Sequence, residues 1–416
     1  MQKFVKAAIF IIAAACIGGS GRPVGAETVS IHHFNGRDGM SPVGPMLYDG
    51  AGNLYGVTYY GGISHWGVVY ELSPPAIRGG EWTETVLHSF TGGSDGAAPS
   101  GGLTFDRAGN IYGSTYDGGN CLYSCGSIFE LSRPALRYGT WTFTSLHRFG
   151  GPDSGDGGQP NGNLIFDQAG NIYGTTALGG INPGEYGVVF SLSPPSSPGG
   201  QWTETVLYTF RGIPDGAYPY GGLAVDPNGN LYGTTSQGGN GNCRVSGEGK
   251  IGCGTAYRLK LSGGAWKESI IFNFRPAEPG PASDMIFDSA GRLYGAASFM
   301  VFRLQPPLRG GLWNESQLYK FPYATLIQSD VIFDGNGNLY GTTRAAGLQG
   351  FGSIYELSPP RSDVSTWMLT TLQRYSGGAD AQMPSGGLVF GRNGVLYGAT
   401  AFMDQSNAGY AIKIVP

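Results

Sequence analysis

One short pattern occurs seven times along this chain of 416 residues: an aspartate followed six positions later by a Tyr-Gly pair. In the last copy Gly391 replaces the aspartate. Successive copies lie 46 to 62 residues apart, with their tyrosines at Tyr55, Tyr112, Tyr173, Tyr232, Tyr294, Tyr340 and Tyr397. A unit of this length cannot bury its apolar face alone, so each repeat must pack against its neighbours.

Every repeat carries the pattern of four short strands. The runs GGLxFD, NLYGTT, GxVFELS and WTETVLHSF alternate apolar with polar residues, which is typical of strands. Asp-x-x-Gly-Asn between the first two runs is a hairpin signal, and Ser-Pro-Pro after the third ends strand pairing. Six tryptophans, each eight residues before an aromatic, mark the fourth strand: Trp82, Trp141, Trp202, Trp266, Trp313 and Trp367. The sequence therefore predicts an all-β repeat protein.

The two ends of the chain favour a closed ring. Four strands repeated seven times suit a β-propeller, whereas an open solenoid would need polar capping repeats. The last repeat stops at Pro416 after its third strand, and residues 27–34, ETVSIHHF, match the fourth strand ETVLHSF of the first repeat. We therefore predict a seven-bladed propeller with four strands per blade, its last blade closed by the N-terminal strand. The predicted blades are 43–90, 100–149, 160–210, 220–274, 283–321, 329–375 and 385–416.

The first 26 residues have the pattern of a secretory signal: two lysines, an apolar stretch and a small-residue cleavage site ending at Ala26. A lipoprotein acylated at Cys16 is the alternative. The formal charge of −4 becomes −7 when Lys3, Lys6 and Arg22 are removed with the signal. An acidic chain without a basic run is a poor ligand for nucleic acid or anionic lipid. We expect an exported monomer, extracellular or periplasmic, without a transmembrane anchor in residues 27–416.

Four cysteines remain after the signal: Cys121, Cys125, Cys243 and Cys253. Both pairs fall in the same loop of different repeats. Local disulfides Cys121–Cys125 and Cys243–Cys253 are therefore predicted, and such bonds persist in exported proteins. A zinc site made of the four thiolates is the alternative.

The linked motifs GNLYGTT, GxVFELSPP and WTETVLHSF resemble those of GloVer, the Gloeobacter/Verrucomicrobia repeat family of "choice-of-anchor" tandem-repeat proteins. The resemblance covers residues 27–416 and implies a secreted or surface-exposed protein. It implies no particular activity. This chain differs in ending on a strand, without an apolar tail. The repeat unit is more distantly similar to those of NHL-type and streptogramin-lyase-like propellers.

The repeated polar residues are interpreted as structural. His32, His88 and His147 share a position that other repeats fill with Tyr208 or Phe272, so they are predicted to be packing residues. The aspartates of the repeated pattern should cap hairpin turns. A second aspartate set, in the connections between repeats, should cap turns as well, with a ring of Ca²⁺ ligands as the alternative. That set is Asp38, Asp95, Asp156, Asp215 and Asp380. No other cofactor is expected.

The loops between the second and third strands vary most among the repeats, and they belong to the face around the central opening of a propeller. Aromatic residues and one histidine in these loops are the candidate ligand-binding residues: Tyr59, Tyr60, His65, Trp66, Tyr116, Tyr123 and Tyr186. Tyrosine and tryptophan suit sugar faces or a peptide. Packing within their own loops is the alternative interpretation.

We therefore expect a binding module for polysaccharide or an envelope protein rather than an enzyme. No catalytic residue is assigned. A propeller-type lyase or glycoside hydrolase is the first alternative, and it would need two convergent acids. The loop acids available are Asp117, Glu185, Glu248 and Asp404. A structural surface-layer or matrix component is the second alternative.

Overall fold

Four antiparallel strands build each of seven blades in the computed structural model of the chain, which confirms the predicted β-propeller. The structure describes residues 26–416 except 78, 122, 137–138, 182–183, 198, 246–248, 277–279, 323–324, 328, 345–349, 361–365, 377–382 and 402–407. The predicted signal, apart from Ala26, lies outside the described residues, and so does Cys16.

Blades 1 and 3 have inner strands of nine residues, and the strand order in each blade runs from the axis outward. Blade 1 contains Met40–Tyr48, Leu54–Tyr60, Val68–Ser73 and Thr83–Ser89. Blade 2 has a divided inner strand, Ala97–Pro99 and Thr104–Phe105, followed by Ile111–Asp117, Ser127–Ser132 and Thr142–Arg148. Blade 3 contains Gly158–Phe166, Ile172–Leu178, Val188–Ser193 and Thr203–Thr209.

The remaining blades have short inner strands. Blade 4 contains Ala224–Val225, Leu231–Thr235, Thr255–Ser262 and Ala265–Asn273, with two small extra pairs, Gly216–Ala217 with Gln237–Gly238 and Arg244–Val245 with Gly249–Lys250. Blade 5 contains Ile286–Phe287, Leu293–Ala297, Met300–Gln305 and Asn314–Lys320. Blade 6 contains Ile332–Phe333, Leu339–Thr343, Ser353–Ser358 and Met368–Arg374. Blade 7 contains Val389–Phe390, the 3₁₀ turn Arg392–Gly394, Leu396–Thr400 and Tyr410–Val415.

The N-terminal strand closes the ring as predicted. Glu27–His33 pairs antiparallel with Tyr410–Val415, so that Glu27 lies opposite Val415 and His33 opposite Tyr410. The strand order in this blade is therefore completed by the first strand of the chain. Pairing removes the unpaired outer edge that blade 7 would otherwise present.

The repeated aspartates fix the turn between the first two strands of the blades. Asp49 Oδ1 accepts hydrogen bonds from the backbone N–H groups of Ala51, Gly52 and Asn53 at 2.8 to 3.0 Å. The Asn53 side-chain amide donates to Asp49 Oδ2 at 2.8 Å. Aspartates at the matching position bind their turns in the same way: Asp106, Asp167, Asp226, Asp288 and Asp334.

The apolar core lies between the blades. Buried side chains of the described residues form seven clusters, each drawn from neighbouring blades. Both aromatic landmarks of the repeat contribute. Phe149, at the end of the outer strand of blade 2, meets Phe190 of blade 3 edge to face at 5.1 Å. Trp202 of blade 3 lies over Tyr112 of blade 2 at 6.4 Å. The pattern therefore recurs along the chain because each copy completes the core of the next.

A backbone hydrogen bond joins each blade to its successor. The acceptor is the carbonyl oxygen of a residue shortly before the third strand, and in most blades a glycine follows that residue. The donor is the backbone N–H of a residue at the start of the next blade. Ala98 N–H to the Trp66 oxygen, at 2.9 Å, is one example. The other donor and acceptor pairs, at 2.6 to 3.1 Å, are Gln159 to Cys125, Tyr218 to Tyr186, Gly280 to Cys253, Ile327 to Ser298, Met383 to Phe351 and Ser41 to Ala408.

We expect the substitution Phe149→Ala to lower the free energy of unfolding by about 3–5 kcal/mol, because it empties a fully buried site between two blades. Urea unfolding followed by tryptophan fluorescence measures the change. Leu136→Ala is the control: Leu136 is 77 % exposed, and its loss should change stability by less than about 0.5 kcal/mol. Equal effects of the two substitutions would contradict an inter-blade core.

Acids and histidines meet at some of the junctions. His147 Nε2 lies 3.3 Å from Asp156 Oδ2, and His88 Nε2 lies 3.1 Å from Asp95 Oδ2. Glu204, on the outer strand of the following blade, interacts with the charges of His147 and Asp156. Its burial raises the pKa of the carboxyl to about 7; the histidine opposes this rise and Asp156 adds to it. Burial also raises the pKa of Glu84 and of Glu268 to about 7 at their own junctions.

A carboxyl whose pKa is raised in the folded state binds a proton that the unfolded chain releases, so stability is lost as pH rises through the folded pKa. We therefore expect Glu204→Gln to raise the melting temperature relative to the unchanged protein, with a gain that grows from about pH 5 to about pH 7 and is constant from there to about pH 8.5. Calorimetry across this range measures the difference. Glu81→Gln, at an exposed site, is the control. A difference that did not grow with pH would contradict the assignment.

Both predicted disulfides are present. Cys121 bonds to Cys125 and Cys243 to Cys253, with Cα–Cα distances of 5.7 and 5.0 Å. The thiols are thus consumed within their own loops, which excludes the alternative zinc site of four thiolates. Disulfides indicate an oxidising, exported environment. Within the described ranges, no helix has the length and apolar character that crossing a membrane requires.

Candidate functional site

The inner strands, or the residues just before them, bring one position per blade to the axis at a common level. This level, which we call the floor ring, comprises Pro45, Gly102, Asn163, Gly222, Asp284, Asp330 and Gly387. Three members of the floor ring carry polar side chains: Asn163, Asp284 and Asp330. Blades 5 and 6 thus have Ser-Asp where blades 2, 4 and 7 have Gly-Gly.

The three polar side chains of the floor ring meet across the axis. Asp284 accepts hydrogen bonds from the backbone N–H of Gly222 and, at 3.4 Å, from that of Asn163. Asp330 accepts from the Asn163 side-chain amide at 3.3 Å and from the backbone N–H of Asp284 at 2.8 Å. The two carboxyl groups are therefore neighbours, held by residues of blades 3, 4 and 5. Their hydrogen-bond donors are neutral amides.

The pKa of each carboxyl in the floor ring is raised. Burial among the inner strands, followed by the charge of Asp330, raises the pKa of Asp284 well above its usual value. Burial likewise raises the pKa of Asp330. Two negative charges side by side in such a site repel each other and raise the free energy of the folded protein. The pair therefore retains a proton at a pH where a solvent-exposed aspartate has lost its own.

Close approach of the inner strands explains the glycines near this level. Gly162 has φ +73°, and a Cβ atom there would overlap the backbone of Gly221 and Gly222 in the next blade. The Thr175 hydroxyl, from the second strand of blade 3, donates to the Gly221 oxygen at 2.9 Å. In blade 5, where serine replaces this glycine, the Ser283 hydroxyl turns back to Ala296 of its own blade. The ring is thus closed tightly around the floor.

A cavity of about 1120 Å³ extends from the floor ring to the face that carries the loops between second and third strands. Its upper wall includes Arg344 and three tyrosines, Tyr59, Tyr60 and Tyr220, which we call the tyrosine wall. Tyr60 is 45 % exposed and packs edge to face on Tyr59 at 4.7 Å. The cavity therefore joins aromatic rings at its mouth to carboxyl and amide groups at its base.

Tyr116 supports the tyrosine wall from blade 2. Its ring lies 6.4 Å from that of Tyr59. Burial, with smaller contributions from Tyr220 and Asp117, raises the pKa of Tyr116 to about 12. Burial and Asp117 also raise the pKa of Tyr59. These phenols stay neutral at physiological pH and present a hydroxyl together with an apolar face.

The other candidates from the loops lie away from the cavity. Trp66 and Tyr186 occupy the same repeat position as Cys125 and Cys253, and they pack against the apolar clusters of their junctions. Tyr123 is 62 % exposed and lies 6.4 Å from Trp66. His65 is exposed, with φ +64°. Of the sequence-predicted ligand residues, the structure thus brings Tyr59 and Tyr60 into the cavity, with Tyr116 behind them.

The second aspartate set binds its own turns. Asp38 accepts from the Asn35 backbone at 2.8 Å, Asp95 from the Thr91 backbone at 3.0 Å, and Asp215 from the Arg211 backbone at 3.0 Å. Asp156 accepts from the Gly150 backbone at 3.1 Å. Asp380 lies outside the described residues. In the described chain, no three His, Cys, Asp or Glu side chains are grouped as ligands for a metal ion.

The two loop acids that the structure describes, Asp117 and Glu185, lie in loops of different blades. Asp117 accepts a hydrogen bond from the Ser124 backbone at 2.7 Å, and Glu185 lies in another loop, at φ +53°. Glu248 and Asp404 lie outside the described residues. The convergent pair is instead Asp284 and Asp330, which the sequence analysis did not consider. Replacement of Gly-Gly by Ser-Asp in two successive repeats was the available signal.

The family model described as Gloeobacter/Verrucomicrobia repeat matches residues 21–245, more than half of the chain. The chain belongs to the Gloeobacter/Verrucomicrobia repeat family. Four-stranded blades and a polar floor ring are thus features of a member of that family. No curated protein matches this family member.

Solved structures similar to this Gloeobacter/Verrucomicrobia repeat protein have low sequence identity to it. Virginiamycin B lyase from Staphylococcus aureus has a TM-score of 0.54 and 14 % identity, covering 94 % of this chain and 99 % of that one. A carbohydrate-active enzyme of family AA12 from Trichoderma reesei has a TM-score of 0.44 and 15 % identity, covering 94 % and 96 %. The extracellular domain of a hybrid two-component system from B. thetaiotaomicron has a TM-score of 0.47 and 14 % identity, covering 94 % and 41 %. At these identities the likeness concerns the fold alone.

We expect Asp330→Asn to raise the melting temperature, with a gain that grows from pH 4 to pH 8. The raised pKa of the pair means that the folded protein loses stability as pH rises, and asparagine removes one titrating group and its repulsion of Asp284. The amide oxygen still accepts from the Asp284 N–H. Calorimetry measures the gain, with the exposed Asp153→Asn as control. Parallel curves for the unchanged protein and Asp330→Asn would refute the coupled pair.

Proposed function

We propose that this protein is an exported binding module that holds a carbohydrate ligand in the central cavity. The observation that carries the proposal is the composition of the cavity: the tyrosine wall at its mouth and Asn163, Asp284 and Asp330 at its floor. Sugar rings combine an apolar C–H face, which packs on aromatic side chains, with hydroxyl groups, which bind amides and carboxyls. The volume is adequate for a ligand of several rings.

Export is supported by the two disulfides and by the secretory pattern of residues 1–26. The tight glycine level around the floor ring supports binding from one face, because a ligand entering from the loop side meets the polar side chains as a base. A cavity with a base of this kind would accept the end of a polysaccharide chain. A flat protein partner would touch the loops instead of reaching the floor.

We expect Tyr60→Ala and Tyr220→Ala each to weaken glycan binding by at least about tenfold, or ~1.4 kcal/mol, because each removes an aromatic face from the cavity. A glycan array with the purified protein identifies binders, and calorimetry with the best binder measures the loss. Tyr123→Ala, which alters an exposed loop outside the cavity, should leave affinity unchanged. Loss of binding in Tyr123→Ala alone would move the site to the loops.

The second candidate function is a propeller-type lyase or glycoside hydrolase, favoured by the pair Asp284 and Asp330. A carboxyl whose pKa is raised can act as a general acid while its neighbour acts as base or nucleophile. Release of new reducing ends, assayed in the array wells, would favour this function, provided that Asp284→Asn abolished the release. Binding without release supports the module.

A further inference from the structure

Among the described residues, no basic side chain accompanies the two carboxyl groups at the floor of the cavity. Among the described lining residues, the charged side chains are Asp284 and Asp330 at the floor and Arg344 at the open end. Four other acids of the described chain do contact a basic side chain: Asp38, Asp95 and Asp156 each lie beside a histidine, and Asp288 lies beside Arg292. The donors to the floor pair are amides of Asn163, Gly222 and Asp284, which carry no charge.

A partly buried carboxyl pair without a cation is unfavourable unless it takes up a proton or a positively charged ligand. In the free protein, sharing a proton lowers the repulsion between the two groups. A ligand that brings its own cation would displace that proton and pair with both carboxylates, and the amides that hold them would keep their places. The floor ring therefore favours a ligand with a positive group at its leading end.

The rest of the cavity favours an organic cation over a bare metal ion. A volume of about 1120 Å³ is far more than one ion needs, and the described residues group no third acid or histidine with the pair. Tyr59, Tyr60 and Tyr220 line the approach to the floor. Aromatic faces attract ammonium groups and also pack on sugar rings. An amino sugar would contact both the tyrosine wall and the carboxyl groups of the floor ring.

We propose that the glycan bound in the cavity carries free amino groups, with an ammonium group placed on Asp284 and Asp330 and the sugar rings against the tyrosine wall. The proposal rests on the proposed function of glycan binding and names the chemical class of the glycan.

Three β-1,4-linked tetrasaccharides test this choice, because they share one backbone and differ at a single substituent: glucosamine, N-acetylglucosamine and glucose. Calorimetry with the purified protein should give at least about tenfold tighter binding of the glucosamine tetramer than of either neutral tetramer. Equal or tighter binding of a neutral tetramer would overturn the amine proposal and leave glycan binding standing. Failure of all three to bind would count against both proposals.

Charge-removing variants supply the second measurement. In Asp330→Asn and Asp284→Asn, the preference for glucosamine over glucose should fall severalfold, because each variant loses one of the two carboxylates that pair with ammonium. Asp153→Asn removes the same charge from an exposed site outside the cavity and should keep the full preference. A preference that survived both floor variants would overturn the proposal.

Added sodium chloride and calcium chloride show whether binding depends on charge and whether the floor ring binds a metal ion instead of an amine. Raising sodium chloride to about 0.5 M should weaken binding of the glucosamine tetramer several-fold and leave the glucose tetramer unchanged, since salt screens only the charged ligand. Calcium ions at about 1 mM, within the range that weak protein sites bind, should leave glucosamine binding unaltered. Calcium binding that required Asp330 and excluded the glucosamine tetramer would make the floor a metal site and refute the amine proposal.

Discussion

Contact between neighbouring blades is the constraint on which this structure depends. Among the described residues, the buried apolar side chains cluster at the junctions, and the bond from Ala98 N–H to the Trp66 oxygen recurs in kind around the ring. Several donors, such as Ala98 at φ +52° and Tyr218 at φ +58°, hold a left-handed backbone. That conformation costs roughly 1–2 kcal/mol in a residue with a side chain. The bond it permits, together with the packing it positions, offsets the cost.

The fold could be predicted because these contacts repeat with the sequence pattern. Phe149 and Trp202 recur because each meets an aromatic in the adjacent blade, and the aspartate pattern recurs because each copy holds a hairpin. Even the junction between first and last strands could be predicted, since residues 27–34 match the outer strand of blade 1. The loops were harder. In the sequence, Trp66 looks like an exposed aromatic residue of a loop. Alignment of the repeats places Trp66 at the position of Cys125, and in the structure Cys125 is buried and Trp66 packs against an apolar cluster.

The site was missed for a physical reason. The most visible variation among the repeats lies in the loops, whereas the acids that meet at the axis lie just before the inner strands of blades 5 and 6. There, one position per blade faces a shared axis, so residues as far apart as Asn163 and Asp330 become neighbours. Periodicity places these positions next to the inner strands. It does not indicate that Asp284 and Asp330 meet Asn163, because this depends on the curvature that only the closed ring fixes.

Pairing of Glu27–His33 with Tyr410–Val415 affects the order in which the molecule folds. The last blade joins strands from opposite ends of the sequence, so its completion has the longest loop closure in the molecule and belongs to the late stage of folding. Before that step the earlier blades can stack, but the floor pair still lacks its closed surroundings. Asp284 and Asp330 therefore reach their final environment only when the last blade has paired with the first strand.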